Sequence, residues 1–147
     1  MNLVVRQLAG ADESAWRPLF AAYGRFYETE FSDEVLASTW TRLMTPGSGI
    51  EGLAAELDGE VVGIAHYRWH PDTFSTGTDW YLDDLYVSEH ARGQGVATQI
   101  IEHLVELQRS VGPGTLRWIT AADNERAQRV YDRIATRTTW VTYEVRT

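Results

Sequence analysis

The stretch from Trp80 to Ala97, with the sequence WYLDDLYVSEHARGQGVA, constrains the fold more than any other part of the chain. Its first half consists of β-forming residues interrupted by Asp83 and Asp84, which predicts a strand. After Gly95, apolar residues recur at helical spacing, which predicts a helix. The glycines between these elements permit positive φ angles and a close approach of the backbone to a ligand. The chain is therefore expected to contain a strand, a glycine-rich loop and a helix in direct succession.

A glycine-rich loop that opens a helix favours the binding of a phosphate or diphosphate. It presents free backbone N–H groups and the positive end of the helix dipole. The loop has the sequence RGQGVA, from Arg92 to Ala97. A Walker loop requires a lysine directly after its second glycine, and a dinucleotide fingerprint requires a third glycine at fixed spacing. Neither residue is present, so both of these phosphate loops are excluded.

The remaining pattern, R-x-x-G-x-A over Arg92, Gly95 and Ala97, resembles the acetyl-CoA loop of the GNAT N-acetyltransferase superfamily. A second segment, NERAQRVY from Asn124 to Tyr131, is similar to the helix that follows the fifth strand in that superfamily. Within the superfamily, the segments YLDDLYV and YDRIATRTTWVTYEV look most like small diamine- or polyamine-type bacterial N-acetyltransferases. The resemblance implies an acetyltransfer reaction with acetyl-CoA as co-substrate.

Composition bounds the class of protein. The chain has 147 residues, of which 44% are hydrophobic and 23% are charged, as expected for one globular domain over residues 1–147. There is no cysteine, which excludes disulfides and thiol catalysis. The net charge of −8 opposes nucleic-acid binding. No apolar run is long enough for a membrane span and no signal peptide is recognised, so we expect a cytoplasmic protein without membrane partners.

The periodicity predicts a mixed α/β fold of order β-αα-βββ-α-β-α-β. Strands are expected at about 2–8, 52–57, 60–69, 81–87, 116–120 and 138–145, and helices at about 12–27, 34–44, 96–109 and 124–135. Asp12 is expected to cap the first helix, and Ser32 or Asp33 the second. Asp58-Gly59 predicts a type I′ hairpin turn. The resemblance implies the GNAT fold, a central and mostly antiparallel sheet of six to seven strands flanked by about four helices.

The resemblance also implies where the cofactor binds. Backbone N–H groups of the loop are expected to hold the diphosphate, and they belong to Arg92, Gly93, Gln94, Gly95, Val96 and Ala97. A bulge in the fourth strand is expected to free backbone N–H groups for the acetyl carbonyl and the pantetheine, near Leu85, Tyr86 and Val87. Asn124 is expected either to hold the pantetheine or to cap its own helix.

Transfer of an acetyl group to an amine requires a base and an acid. An alkylammonium has a pKa near ~10.4, so it must lose a proton before it attacks. Asp83 and Asp84 alternate along a strand, so only one faces the amine unless a bulge intervenes. The resemblance favours Asp83 as the base, directly or through a water, with Asp84 in support. It makes Tyr131 the acid that protonates the leaving thiolate, whereas the residues alone also allow a core tyrosine.

The acceptor is the least constrained part of the prediction. Glu28, Trp80 and Tyr81 are expected to bind it together with Asp83, although a solvated connection or a core position would also explain the first three. His66 and His70 lie on a predicted strand, so no metal site is expected. We expect a homodimeric N-acetyltransferase that acts on the primary amine of a small, cationic acceptor in a ternary complex. The alternatives are acetylation of an amino acid, antibiotic or protein amine, and a non-catalytic acyl-CoA sensor.

Overall fold

A computed structural model describes all 147 residues as nine regular elements and two short 3₁₀ turns. The strands are β1 (Leu3–Gln7), β2 (Glu51–Leu57), β3 (Glu60–Pro71), β4 (Thr78–Val87) and β5 (Gly114–Arg117). The helices are α1 (Glu13–Phe26), α2 (Asp33–Leu43), α3 (Val96–Val111) and α4 (Glu125–Ile134). None of the helices combines the length and the apolar character that crossing a bilayer requires.

The strands form one sheet in the order β1-β2-β3-β4-β5. The first four strands pair antiparallel, and β5 pairs parallel to β4. The β2–β3 turn has positive φ at both Asp58 (52°) and Gly59 (86°), as a type I′ turn requires. The predicted hairpin and the predicted mixed α/β class are thus confirmed.

Each face of the sheet carries its own hydrophobic core. On one face, α3 packs its apolar stripe, including Ile100 and Leu104, against β2, β3 and β4. On the other face, α1 and α2 bury a cluster that contains Trp16, Phe20 and Trp40. The two cores fix β4 between helices on both sides, so this strand has a rigid setting for any residue it presents.

The helix starts differ from the prediction in one case. Ser32 caps α2, since its hydroxyl accepts a hydrogen bond from the backbone N–H of Val35 at 3.2 Å. Asp12 does not cap α1 through its side chain. Its carboxylate instead accepts two hydrogen bonds from Arg6, at 2.7 and 2.9 Å, and this guanidinium lowers the pKa of Asp12. The Asp12 carboxylate therefore pairs with groups that precede it in the chain, Arg6 and the N–H of Ala9, and not with the first turn of α1.

The predicted final strand at 138–145 is wrong for the single chain. Residues 138–147 belong to no regular element and are exposed throughout, Trp140 to 84% and Tyr143 to 91%. The sheet therefore has five strands and not six or seven. Alternating apolar and polar residues predict that a segment can form a strand, but they do not identify the strand with which it pairs. In this chain the outer edge of β5 is left uncovered.

Candidate active site

The site begins where β4 and β5 separate. Their parallel pairing runs only from Thr78 opposite Gly114 to Tyr81 opposite Arg117. Beyond Tyr81, β4 continues to Val87 without a neighbour on that side. The edge of β4 between these points is therefore free of strand pairing and open to a ligand, as the sequence had led us to expect.

A groove of about 720 Å³ occupies the space between the separated strands. Its walls come from the end of α1, the second half of β4, the glycine-rich loop, the start of α3, the segment after β5 and α4. The lining residues that bear on function are Tyr23, Tyr27, Asp83, Leu85, Tyr86, Val87, Arg92, Gly93, Gly95, Val96, Ala97, Trp118, Asn124 and Tyr131. The structure thus brings most of the predicted cofactor residues and two predicted catalytic residues to one groove.

The glycine-rich loop faces this groove with unsatisfied backbone donors. Gly93 and Gly95 have φ angles of 78° and 81°, which favour glycine. A Cβ added at either position would meet nothing within 4 Å, so open space lies above both. The N–H groups of residues 93 to 98 donate no hydrogen bond within the protein. A helix start leaves such donors for an outside acceptor, and an anion suits them best.

The polar side chains of the loop hold it in shape. Arg92 donates from Nε to the carbonyl oxygen of Val87 at 3.0 Å, and its guanidinium lies 5.4 Å from the ring centre of Tyr86. The amide of Gln94 donates to the carbonyl oxygen of His90 at 3.3 Å. Arg92 thus ties the loop to the end of β4, and Gln94 ties it to the turn that precedes it, which leaves the backbone as its main ligand-binding surface.

Tyr131 and Asn124 lie on the opposite wall. The ring of Tyr131 packs edge-on against Trp118, with centroids 5.3 Å apart. Burial raises the pKa of Tyr131 to about 12, so its phenol keeps its proton at neutral pH. The side chain of Asn124 accepts a hydrogen bond from the N–H of Ala127 at 3.3 Å. Of the two predicted roles for Asn124, the structure therefore shows the cap.

The two aspartates of β4 leave the same face of the sheet. The β3–β4 register shifts between His66 and Tyr67, and Asp83 is the extra residue of this bulge. Asp83 contacts Arg68, and Asp84 contacts His66. These two partners lie two residues apart on β3, so they project from one face. The simple alternation expected for the aspartates therefore fails because of the bulge.

Their environments nevertheless differ. Both oxygens of Asp83 accept from Nε of Arg68, at 3.2 and 3.1 Å. Burial raises the pKa of Asp83 even though this ion pair opposes the change. Asp84 lies 2.9 Å from Nδ1 of His66 through Oδ2. The site thus holds one carboxylate of raised proton affinity in the groove and a second carboxylate tied to a buried histidine.

Three groups around these aspartates were missed by the sequence reasoning. They are Tyr23, His66 and Arg68. Tyr23 lies in α1 and lines the groove, and burial together with the charge of Asp84 raises its pKa. His66 and Arg68 alternate on β3 opposite the aspartates, and this alternation was the available signal.

The predicted acceptor residues other than Asp83 do not line the groove. Trp80 is only 5% exposed and stacks on Tyr67 at 5.6 Å in the core. The ring of Tyr81 lies 4.6 Å from the guanidinium of Arg68. Glu28 is exposed just after α1, with a left-handed φ of 58°. No group of histidine, aspartate and glutamate side chains has an arrangement that could hold a metal ion.

Comparisons with known proteins agree with this geometry. The sequence profile of the acetyltransferase (GNAT) family matches residues 13–135. A D-amino-acid N-acetyltransferase of Saccharomyces cerevisiae is 33% identical over 145 residues, which cover 97% of this chain and 90% of the yeast protein. A thialysine N-epsilon-acetyltransferase of Mus musculus is 35% identical over 71 residues, 48% of this chain and 41% of the mouse protein.

Solved structures show the same fold. The ribosomal-protein-alanine N-acetyltransferase of Brucella melitensis biovar Abortus 2308 superposes with a TM-score of 0.83 at 22% identity, and the match covers all of both chains. A possible acetyltransferase of Clostridium difficile 630 superposes with a TM-score of 0.85 at 14% identity, over 100% of this chain and 99% of that one. At these identities the likeness concerns the fold.

Proposed function

Since the chain is an N-acetyltransferase of the acetyltransferase (GNAT) family, we propose that it transfers the acetyl group of acetyl-CoA to the primary amine of a small, cationic acceptor. The transfer is direct, within a ternary complex. One observation carries this proposal: free N–H donors at 93–98, a groove-lining Asp83 and a protonated Tyr131 share one groove. Members of this family use acetyl-CoA as co-substrate.

The groove fits that co-substrate. The N–H groups of residues 93 to 98 would hold the diphosphate, because they lie at a helix start and donate no hydrogen bond within the protein. The unpaired edge of β4 between Leu85 and Val87 would contact the pantetheine and the acetyl carbonyl. Bound there, acetyl-CoA supplies the acyl group and a thiolate leaving group. The chain's own residues supply the positioning and the proton transfers.

Asp83 is the proposed base. It lines the groove, and burial raises its pKa, which brings its proton affinity closer to what a base at neutral pH needs. In its ionised form it accepts the proton that the acceptor's ammonium loses, directly or through one water. The salt bridge with Arg68 holds this carboxylate in place.

Tyr131 is the proposed acid. Its raised pKa of about 12 keeps the phenol protonated at neutral pH, so a proton is available where negative charge develops on the departing sulfur. A free thiol has a pKa of about 8.5, so the transfer from the phenol is uphill by itself and is completed when the thiol leaves with the proton. The phenol is then re-protonated from solvent through the open groove.

The charge of the site supports a cationic acceptor. Asp83 and Asp84 leave the same face of β4, and Asp84 lies beside the ring of Tyr23. Carboxylates and tyrosine rings together favour an ammonium group. Amino acids are the second class of acceptor to consider, because the yeast relative that matches 97% of this chain is a D-amino-acid N-acetyltransferase.

An acceptor panel tests the proposed activity. Purified protein with acetyl-CoA is offered diamines, polyamines, L- and D-amino acids, aminoglycosides and peptides, and products are read by mass spectrometry together with free CoA. We expect at least one small amine to gain an acetyl group. Binding of CoA without an acetylated product from any amine would contradict the proposal and favour an acyl-CoA sensor.

The glycine-rich loop can be tested with a matched pair of variants. Gly95→Ala and Gly47→Ala both place a Cβ at a φ near +80° in open space. Each should cost about 1 kcal/mol of stability. Only Gly95→Ala puts its methyl group where the diphosphate is proposed to bind, so only this variant should lose CoA affinity by calorimetry. Equal affinity in the two variants would argue against the loop as the binding site.

Tyr131→Phe tests the acid. This variant keeps the packing against Trp118 but removes the proton, so kcat should fall by about 10²-fold, the size typical of a lost general acid. The dissociation constant for CoA should stay close to that of the parent protein. Stopped-flow and steady-state kinetics measure both, and an unchanged kcat would assign the proton to another donor.

We also propose that the protein is a homodimer joined through residues 138–147. This segment exposes Trp140, Val141 and Tyr143, while the outer edge of β5 has no partner. Light scattering should give about twice the chain mass of 16.7 kDa. Trp140→Lys should weaken the dimer, and Thr147→Lys serves as the control at the end of the chain. A monomeric parent protein at working concentration would contradict this.

A further inference from the structure

The proposed reaction makes no use of His66, a deeply buried ionisable side chain near the groove. This residue is 2% exposed and lies on β3 against α1. Its Nε2 is 2.9 Å from the indole N–H of Trp16, and its Nδ1 is 2.9 Å from Oδ2 of Asp84. A buried imidazole with a partner at each nitrogen has a defined protonation state.

The partners fix that state. An indole N–H only donates, so Nε2 of His66 must accept. The single proton of a neutral imidazole then sits on Nδ1, from which it is donated to Asp84. A second proton on Nε2 would point two N–H groups at each other across 2.9 Å. Trp16 therefore favours the tautomer in which the Nδ1–H of His66 is donated to Asp84.

The surroundings hold the ring in this orientation. Phe20 packs edge-on against the imidazole at 4.8 Å, and Trp16 lies at 5.9 Å. The titratable groups that face His66 are Asp84 in direct contact, Asp83 beyond it, and Tyr23 beside Asp84. From α2, the nearest cluster members are the apolar Leu36 and Trp40. No other charged group on these elements competes for the imidazole.

Asp84 is left with one oxygen to offer. Its Oδ2 is engaged by His66, the phenol of Tyr23 lies beside the same carboxylate, and the side chain of Asp84 is 27% exposed. The fixed N–H donor sets the direction of this carboxylate. An oriented carboxylate beside Tyr23 suits the positive charge of an acceptor.

We propose that Trp16 and His66 are positioning residues that hold Asp84 as an oriented carboxylate for the cationic group of the acceptor. This deepens the function proposed above and rests on it. The division of roles follows: Asp83 takes the proton, and Asp84 anchors the acceptor's charge. Disturbing the hydrogen-bonded series Trp16–His66–Asp84 should therefore weaken the binding of the acceptor and leave the binding of acetyl-CoA unchanged.

Nuclear magnetic resonance of the parent protein tests the hydrogen bonds of His66 without any turnover. Nitrogen-15 shifts of the imidazole should show one proton, on Nδ1, throughout the pH range in which the fold is stable, with His66 assigned by its loss in His66→Asn. A proton on Nε2, or a doubly protonated ring at neutral pH, would overturn the proposal. Absence of acetylation with the Nδ1–H form present would instead refute the proposed function alone.

A matched pair of variants tests the consequence. His66→Asn keeps an amide donor near the Nδ1 position, whereas His66→Gln moves it to the Nε2 position. His66→Gln should raise the acceptor KM about tenfold or more, the effect of one lost hydrogen bond to a charged group, and His66→Asn should stay close to the parent. The KM for acetyl-CoA should not change. Equal acceptor KM values in the two variants would overturn the proposal.

Trp16→Phe gives an independent readout if the histidine variants fold poorly. Without the indole N–H, Nε2 becomes free to take a second proton, and the imidazolium would neutralise Asp84. The variant should therefore gain a new acid limb in kcat/KM for the acceptor, in the region of an ordinary histidine pKa of ~6.5. A pH profile identical to that of the parent protein would contradict the role of Trp16.

Discussion

The parting of β4 from β5 after Tyr81 is the constraint on which the rest of the site depends. In a continuous sheet the backbone N–H and C=O groups form hydrogen bonds between strands. A β4 paired along its whole length would therefore have no free backbone group on that edge to bind a ligand. Where the strands separate, the edge of β4, the glycine-rich loop and α4 come to face one groove. Hydrophobic cores pack on both faces of the sheet that carries this opening.

The same strand gives its two carboxylates, Asp83 and Asp84, different partners. The bulge at Asp83 sends two neighbouring carboxylates to one face, where each meets a different partner on β3. Arg68 pairs with Asp83 near the surface, and the buried His66 holds Asp84. Tyr131 lies on the opposite wall with its pKa raised to about 12 by burial. In the mechanism proposed above, a base and an acid act at neutral pH in one groove because their surroundings differ.

The sequence predicted what depends on local patterns. The glycine-rich loop, the apolar stripe of α3, the Asp58-Gly59 turn and the mixed α/β class follow from spacing and turn chemistry, and the structure confirms them. Side-chain partners across strands did not follow, because a one-residue bulge changes every facing pair. Arg68 and His66 belong to this group. The pairing of Asp12 with Arg6 joins the turn before α1 to β1, and the helix pattern gave no sign of it. Trp80 was expected at the acceptor but lies in the core. The expectation was wrong because the sequence does not show which apolar face of β4 is turned to which side.

The central claim is that the backbone of residues 93–98 binds the diphosphate of CoA. Amide nitrogen-15 and proton shifts of the labelled protein, followed during a titration with CoA, test this most directly. The account predicts that the amides of Gly93, Gly95 and Val96 shift together and saturate with the binding curve, since they are free donors in the protein alone. Saturable binding of CoA that moves other amides and leaves these three unchanged would contradict it.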